Sequence, residues 1–134
     1  MNLSTNFVLN EFLLNYEGKP SSVQMRNLEL LADELQTLRN YVGKPIIISS
    51  GLRSFQHNLE VGGATHSQHL YGTAADFKAV GMTTLELANA IEHLIGIGQM
   101  KQGGLGIYDT WIHYDIRGEK ARWDNRKKKA WTAS

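Results

Sequence analysis

Apolar residues recur at a helical interval between Val23 and Val42, where Leu28, Leu31, Leu35 and Leu38 share one stripe. Ser21 and Ser22 stand ahead of that stripe with hydroxyls suited to capping, so the pattern predicts a helix. Gly43-Lys44-Pro45 ends it, and the β-branched run Ile46-Ile47-Ile48 predicts a short buried strand before a turn at Ser49-Ser50-Gly51. From Arg53 to Gly72 neither period is sustained. A short helix fits Phe55 to Glu60, Gly62-Gly63 follows, and the rest is expected to be loop whose side chains are available for chemistry. Thr73 to Val80 reads as a strand. Thr83 to Ile95, with Leu85, Leu87, Ala88, Ile91 and Leu94, reads as a second helix that starts at a threonine cap.

After Gly103-Gly104 the period changes to two. Ile107 to Arg117 reads as one alternating strand, with Tyr108, Thr110, Ile112, Tyr114 and Ile116 on one face. Asp109, Trp111, His113, Asp115 and Arg117 occupy the other. The first face is core and the second carries polar chemistry. The element order predicts an α+β fold: a single domain over residues 1–134, built on a central, largely antiparallel sheet with flanking helices and ending in a basic tail from about residue 119.

Composition narrows the function classes. No apolar run approaches the ~18–20 residues of a membrane span, so no membrane insertion is expected. The formal net charge of +1 argues against a nucleic-acid partner, and Arg126-Lys127-Lys128-Lys129 reads as a solvated end. Without cysteine, any bound metal must be held by His, Asp or Glu. The opening Met1 to Phe7 lacks the basic and apolar stretches of a secretory signal, so synthesis in the cytoplasm without conventional export is expected.

His69 stands seven residues before Asp76, with Gly72, Ala74 and Ala75 between them. A turn at the glycine that leads into a strand brings imidazole and carboxylate together, and His113, on the polar face of the last strand, is the natural third ligand. Two histidines and a carboxylate suit a single Zn2+ with its fourth position open to water. Each residue alone has a bland reading as a surface or hydrogen-bonded side chain. His66 reads as a neighbour lining the same cleft, and His57 and His93 as structural.

The run Ser67-Gln68-His69-Leu70-Tyr71-Gly72-Thr73-Ala74-Ala75-Asp76, completed by His113-Tyr114-Asp115, resembles the zinc D-alanyl-D-alanine carboxypeptidases and related murein endopeptidases. Ser50-Gly51-Leu52-Arg53-Ser54, Asn58, Val61-Gly62-Gly63 and Gly103 to Tyr108 extend the likeness over about half the chain. The resemblance implies the fold shared with lysostaphin-type peptidases and Hedgehog domains, with His69, Asp76 and His113 as zinc ligands. It implies as substrate the stem peptides of peptidoglycan, and Arg53 steadying a substrate carboxylate or carbonyl oxygen. Ser67, Trp111 and Arg117 join Arg53 as candidate substrate contacts, although Trp111 also reads as cover for a sheet edge and Arg117 as an ion-pair partner of Asp115 or Asp109. The acid that relatives place three or six residues before the last histidine is missing, since Thr110 and Ile107 stand there. Asp115 is then the first candidate for general base and Asp109 the second, with Asp115 otherwise orienting a ligand imidazole. A monomeric phage or prophage lysis enzyme, released through a pore or carried on a particle, is the expected setting. The rival expectation is a non-catalytic zinc module that binds peptide or cell wall.

Overall fold

A computed structural model describes residues 1–14 and 16–127. Helix α1 spans Ser22–Val42; the Ser21 hydroxyl accepts the Gln24 amide while the Gln24 side chain accepts the Ser21 amide, closing donors that the first turn leaves open. Strand β1 is Ile46–Ser50, helix α2 Phe55–Glu60, strand β2 Ala74–Ala79 and helix α3 Thr84–Gly96. Three short strands follow: β3 Gly104–Ile107, β4 Ile112–Asp115 and β5 Ala121–Asp124.

The strands form one sheet in the order β1-β2-β4-β3-β5. All neighbours are antiparallel except β3 and β5, which run parallel, so the α+β fold is built on a mixed sheet. One face is apolar: Phe77, Ile112, Tyr114 and Leu105 join Leu28, Leu31, Leu35 and Leu38 of α1 and Leu87, Ile91 and Leu94 of α3 in a continuous buried cluster. Burial of those leucine stripes is what makes both amphipathic helices stable against the sheet.

Two expectations are corrected. Ile107 to Arg117 is not one strand but the closing part of a hairpin, in which Ile107 pairs with Ile112 and the Tyr108 amide donates to the Trp111 carbonyl. Asp109 and Thr110 take the tip, where a short polar side chain tolerates the reversal better than a strand interior does. The alternation therefore holds only within β4. The segment after residue 119 is not simply a tail either. Ala121–Asp124 completes the sheet, with Arg122 tied to Glu92 of α3 and to the Gly103 carbonyl. A four-residue strand among charges gives no periodic signal of its own. Lys128, Lys129 and Trp131 lie outside the described residues.

The face turned away from the helices carries one row of register partners across all five strands: Ser50, Asp76, His113, Gly106 and Trp123. Gly106 is essential to that row. A Cβ there would collide with the Trp123 indole, so its absence lets the ring lie across β3 and meet His113 with centroids 5.0 Å apart. Gly106→Ala should displace the indole and cost about 1–3 kcal/mol, as small-to-large changes at packed sites do. Urea unfolding and near-ultraviolet circular dichroism check this, and an unchanged midpoint with an unchanged tryptophan signal would contradict it.

Candidate metal centre

The first imidazole is delivered by a 3-10 turn, Gln68–Tyr71, set between two anchors. On one side the Ser67 hydroxyl accepts the His69 amide and the Arg53 amide donates to the His69 carbonyl. On the other, α1 clamps the turn, with Gln24 donating to the Leu70 carbonyl and Asn27 to the Tyr71 carbonyl. Asp76 and His113 need no loop, because they are direct neighbours in the β2–β4 pairing and project from the same face.

The three side chains converge. His69 Nε2 and His113 Nδ1 each lie 3.2 Å from Asp76 Oδ1, and all three donor atoms fall within 4.8 Å of one another. All three residues are buried. The outer ring nitrogens decide what the inner ones present. His69 Nδ1 is 2.8 Å from the Gly51 carbonyl, which can only accept, so this nitrogen carries the proton and neutral His69 turns a lone pair inward. His113 Nε2 is 2.6 Å from Asp115 Oδ2, which fixes its proton in the same way.

Three acceptors thus face one point, an arrangement that repels itself unless a cation sits among them. Ligands around a tetrahedral zinc with bonds of about 2.0–2.1 Å lie roughly 3.3 Å apart, close to the 3.2 Å that separates Asp76 Oδ1 from each imidazole nitrogen. The donor set therefore fits one Zn2+. In the metal-free protein protons take that part. Burial works against a charged His113 ring, but hydrogen bonds to Asp115 and Asp76 overcome it and raise its pKa. Burial likewise pushes the Asp76 carboxyl up, and contacts with His113 and His69 reverse this and hold it well below the usual carboxylate range.

Around the centre the predicted residues separate. Arg53 is drawn in: Nε donates to the Ser50 hydroxyl, Nη1 to Asn58 Oδ1 at 3.4 Å and Nη2 to Asp76 Oδ2 at 3.2 Å. Burial lowers its pKa against the opposing pull of Asp76 and of Tyr108, and among the described residues its remaining N–H groups meet no acceptor. Arg53, Ser67, Trp111, Arg117 and His66 all line one cleft of about 450 Å³ that also holds the three ligands.

Neither acid proposed as base is poised for that role. Asp115 is fully buried, and its oxygens are occupied by His113 Nε2, the Gly104 amide, and the amide, Nε and Nη2 of Arg117. Burial alone would raise its pKa, but these bonds hold it well below the ordinary value. It orients the His113 ring instead of reaching the cleft. Asp109, at the hairpin tip, accepts the Lys127 amide and borders a separate cavity with Lys78 and Arg126. Sequence reasoning missed Tyr108 and Trp123, both of which wall the cleft. The available signal was the pair of glycines two apart in β3, which clear one face for whatever lies over it.

An open cleft with two imidazoles and one carboxylate converging on its floor defines a candidate site for one metal ion. Residues 5–115 match Peptidase M15, and the chain belongs to that family. It is also 41% identical over 75 residues to a zinc D-Ala-D-Ala carboxypeptidase from Streptomyces albus G. That match covers 54% of this chain and 29% of the relative's length.

One zinc should bind per chain, and His69→Ala or Asp76→Ala should abolish measurable binding in competition with a chromogenic chelator. Asp115→Asn, which leaves the three ligands in place and weakens the hold on the His113 ring, should weaken zinc about 10–100-fold. Because the metal displaces a proton from His113, whose pKa is raised, affinity should fall as pH drops from about 8 to about 6. A pH-independent affinity would exclude this proton competition.

Proposed function

We propose that the chain is a zinc-dependent peptidase that hydrolyses peptide bonds in the stem peptides of bacterial peptidoglycan. The observation that carries this reading is the convergence of His69 Nε2, Asp76 Oδ1 and His113 Nδ1 at the floor of an open cleft with Arg53 beside them. The family and the zinc carboxypeptidase relative support the reaction class and the substrate.

When bound, zinc supplies a Lewis acid and lowers the pKa of a coordinated water towards about 7. The chain's own residues do the rest. Asp115 keeps the proton on His113 Nε2 and so keeps its Nδ1 lone pair aimed inward. Arg53, fixed by Ser50, Asn58 and Asp76, offers its free N–H groups to a substrate carboxylate or carbonyl oxygen. Trp111 and Trp123 cover the bound peptide and restrict water. Among the described residues lining the cleft the only carboxylate is Asp76, already a ligand. His66, exposed on the cleft wall, takes the proton given up by the attacking water and returns it to the leaving amine.

That absence of a free carboxylate favours one rival: a zinc module that holds peptide without cutting it. Mass spectrometry of purified muropeptides after incubation with zinc-loaded protein separates the two. New fragments that disappear on chelation are expected and would also name the bond, whereas retention of intact peptide on the metal-loaded protein supports the module. His66→Gln should lower kcat about 10²-fold or more with zinc affinity unchanged, and full turnover in that variant would remove His66 from the mechanism.

A further inference from the structure

Tyr108 occupies an unusual position for a half-buried phenol. Its ring stacks on Trp111 with centroids 4.5 Å apart and planes 8° from parallel, and its backbone amide closes the hairpin onto the Trp111 carbonyl. Its hydroxyl oxygen accepts the Trp123 Nε1–H at 2.9 Å. Indole can only donate, so the phenol oxygen accepts a hydrogen bond from that partner and keeps its own O–H unspent. Among the described residues no side chain or carbonyl accepts that O–H, and the ring borders the cleft. The anchor is itself fixed by the metal-binding row, because the Trp123 indole packs on His113 across the gap at Gly106. Arg53 lines the same cleft, near enough for the phenol to bear on its charge.

We propose that the Tyr108 hydroxyl is a catalytic hydrogen-bond donor, aimed by Trp123 at the scissile carbonyl oxygen as negative charge develops on it. The contribution is electrostatic and no proton changes owner. A donor held in place before the substrate arrives costs no reorganisation when the charge appears. The two indoles divide the work: Trp111 sets the plane of the ring, and Trp123 saturates the oxygen so that the remaining hydrogen turns to the cleft. The inference rests on the peptidase reading of the site and adds to it a second donor beside Arg53.

The test compares wild type, Tyr108→Phe and Trp123→Phe, all zinc-loaded. It uses muropeptide turnover together with calorimetric binding of a phosphinate analogue of D-alanyl-D-alanine, a tetrahedral anion that needs no catalysis. Tyr108→Phe should lose about 10²-fold in kcat with little change in KM. It should bind the phosphinate at least about 10-fold more weakly, while chelator competition shows unaltered zinc affinity. Trp123→Phe, which keeps a ring but removes the N–H, should lose part of both. Binding of the phosphinate should perturb the tyrosine absorbance of wild type and leave no such signal in Tyr108→Phe. Wild-type turnover and phosphinate affinity in Tyr108→Phe, or a loss confined to KM, would overturn the inference and leave the peptidase reading standing. A zinc-loaded wild type that neither cleaves muropeptides nor binds the phosphinate would overturn both.

Discussion

Mutual repulsion among three buried acceptors is the constraint around which the rest of the fold is arranged. Two imidazole lone pairs and a carboxylate oxygen do not stay together without a cation, and their neighbours hold them in place before one arrives. The Gly51 carbonyl and Asp115 each take an outer imidazole N–H, and Arg117 compensates the charge of Asp115. Removing either partner frees a ring to rotate and turn a proton inward, which converts a ligand into a donor. Such outer contacts matter almost as much as the ligands.

The sheet supplies the positional accuracy. Asp76 and His113 are partners across one antiparallel pairing, so their separation is set by ladder geometry instead of by side-chain choice. His69 alone comes from a loop, and it is the residue with the most supports: a capped 3-10 turn, a clamp from α1 and the amide of Arg53. Loop-borne ligands need such bracing, because backbone freedom otherwise exceeds the few tenths of an ångström that a metal site tolerates.

Much of this was legible in the chain. Both long helices announced themselves through leucine spacing and hydroxyl caps, and β1 and β2 through β-branched or small buried residues. His69, Asp76 and His113 stood out because no cysteine competed for the role and because the surrounding motif is extended. What stayed hidden depended on partners distant in sequence. Alternation runs unbroken through Asp109 and Thr110 and so predicts a single strand; only the pairing of Ile107 with Ile112 reveals the reversal. For Asp115 the orienting role and the pairing with Arg117 are both legible beside that of a base, and only the distant Gly104 amide, with the observed contacts, shows that its oxygens are consumed. β5 gives no local signal because its residues act through partners distant in sequence: Arg122 reaches Glu92 and the Gly103 carbonyl, and the strand pairs with the edge of β3.

The placement of β5 at the sheet's margin joins two tasks. Every ligand among the described residues precedes residue 116, whereas Arg117 and Trp123 arrive afterwards. Arg117 neutralises the acid that aims His113, the Trp123 indole leans on the same ring, and both border the cleft. Drift in the closing segment therefore alters the grip on the ion and the contour of the cleft together.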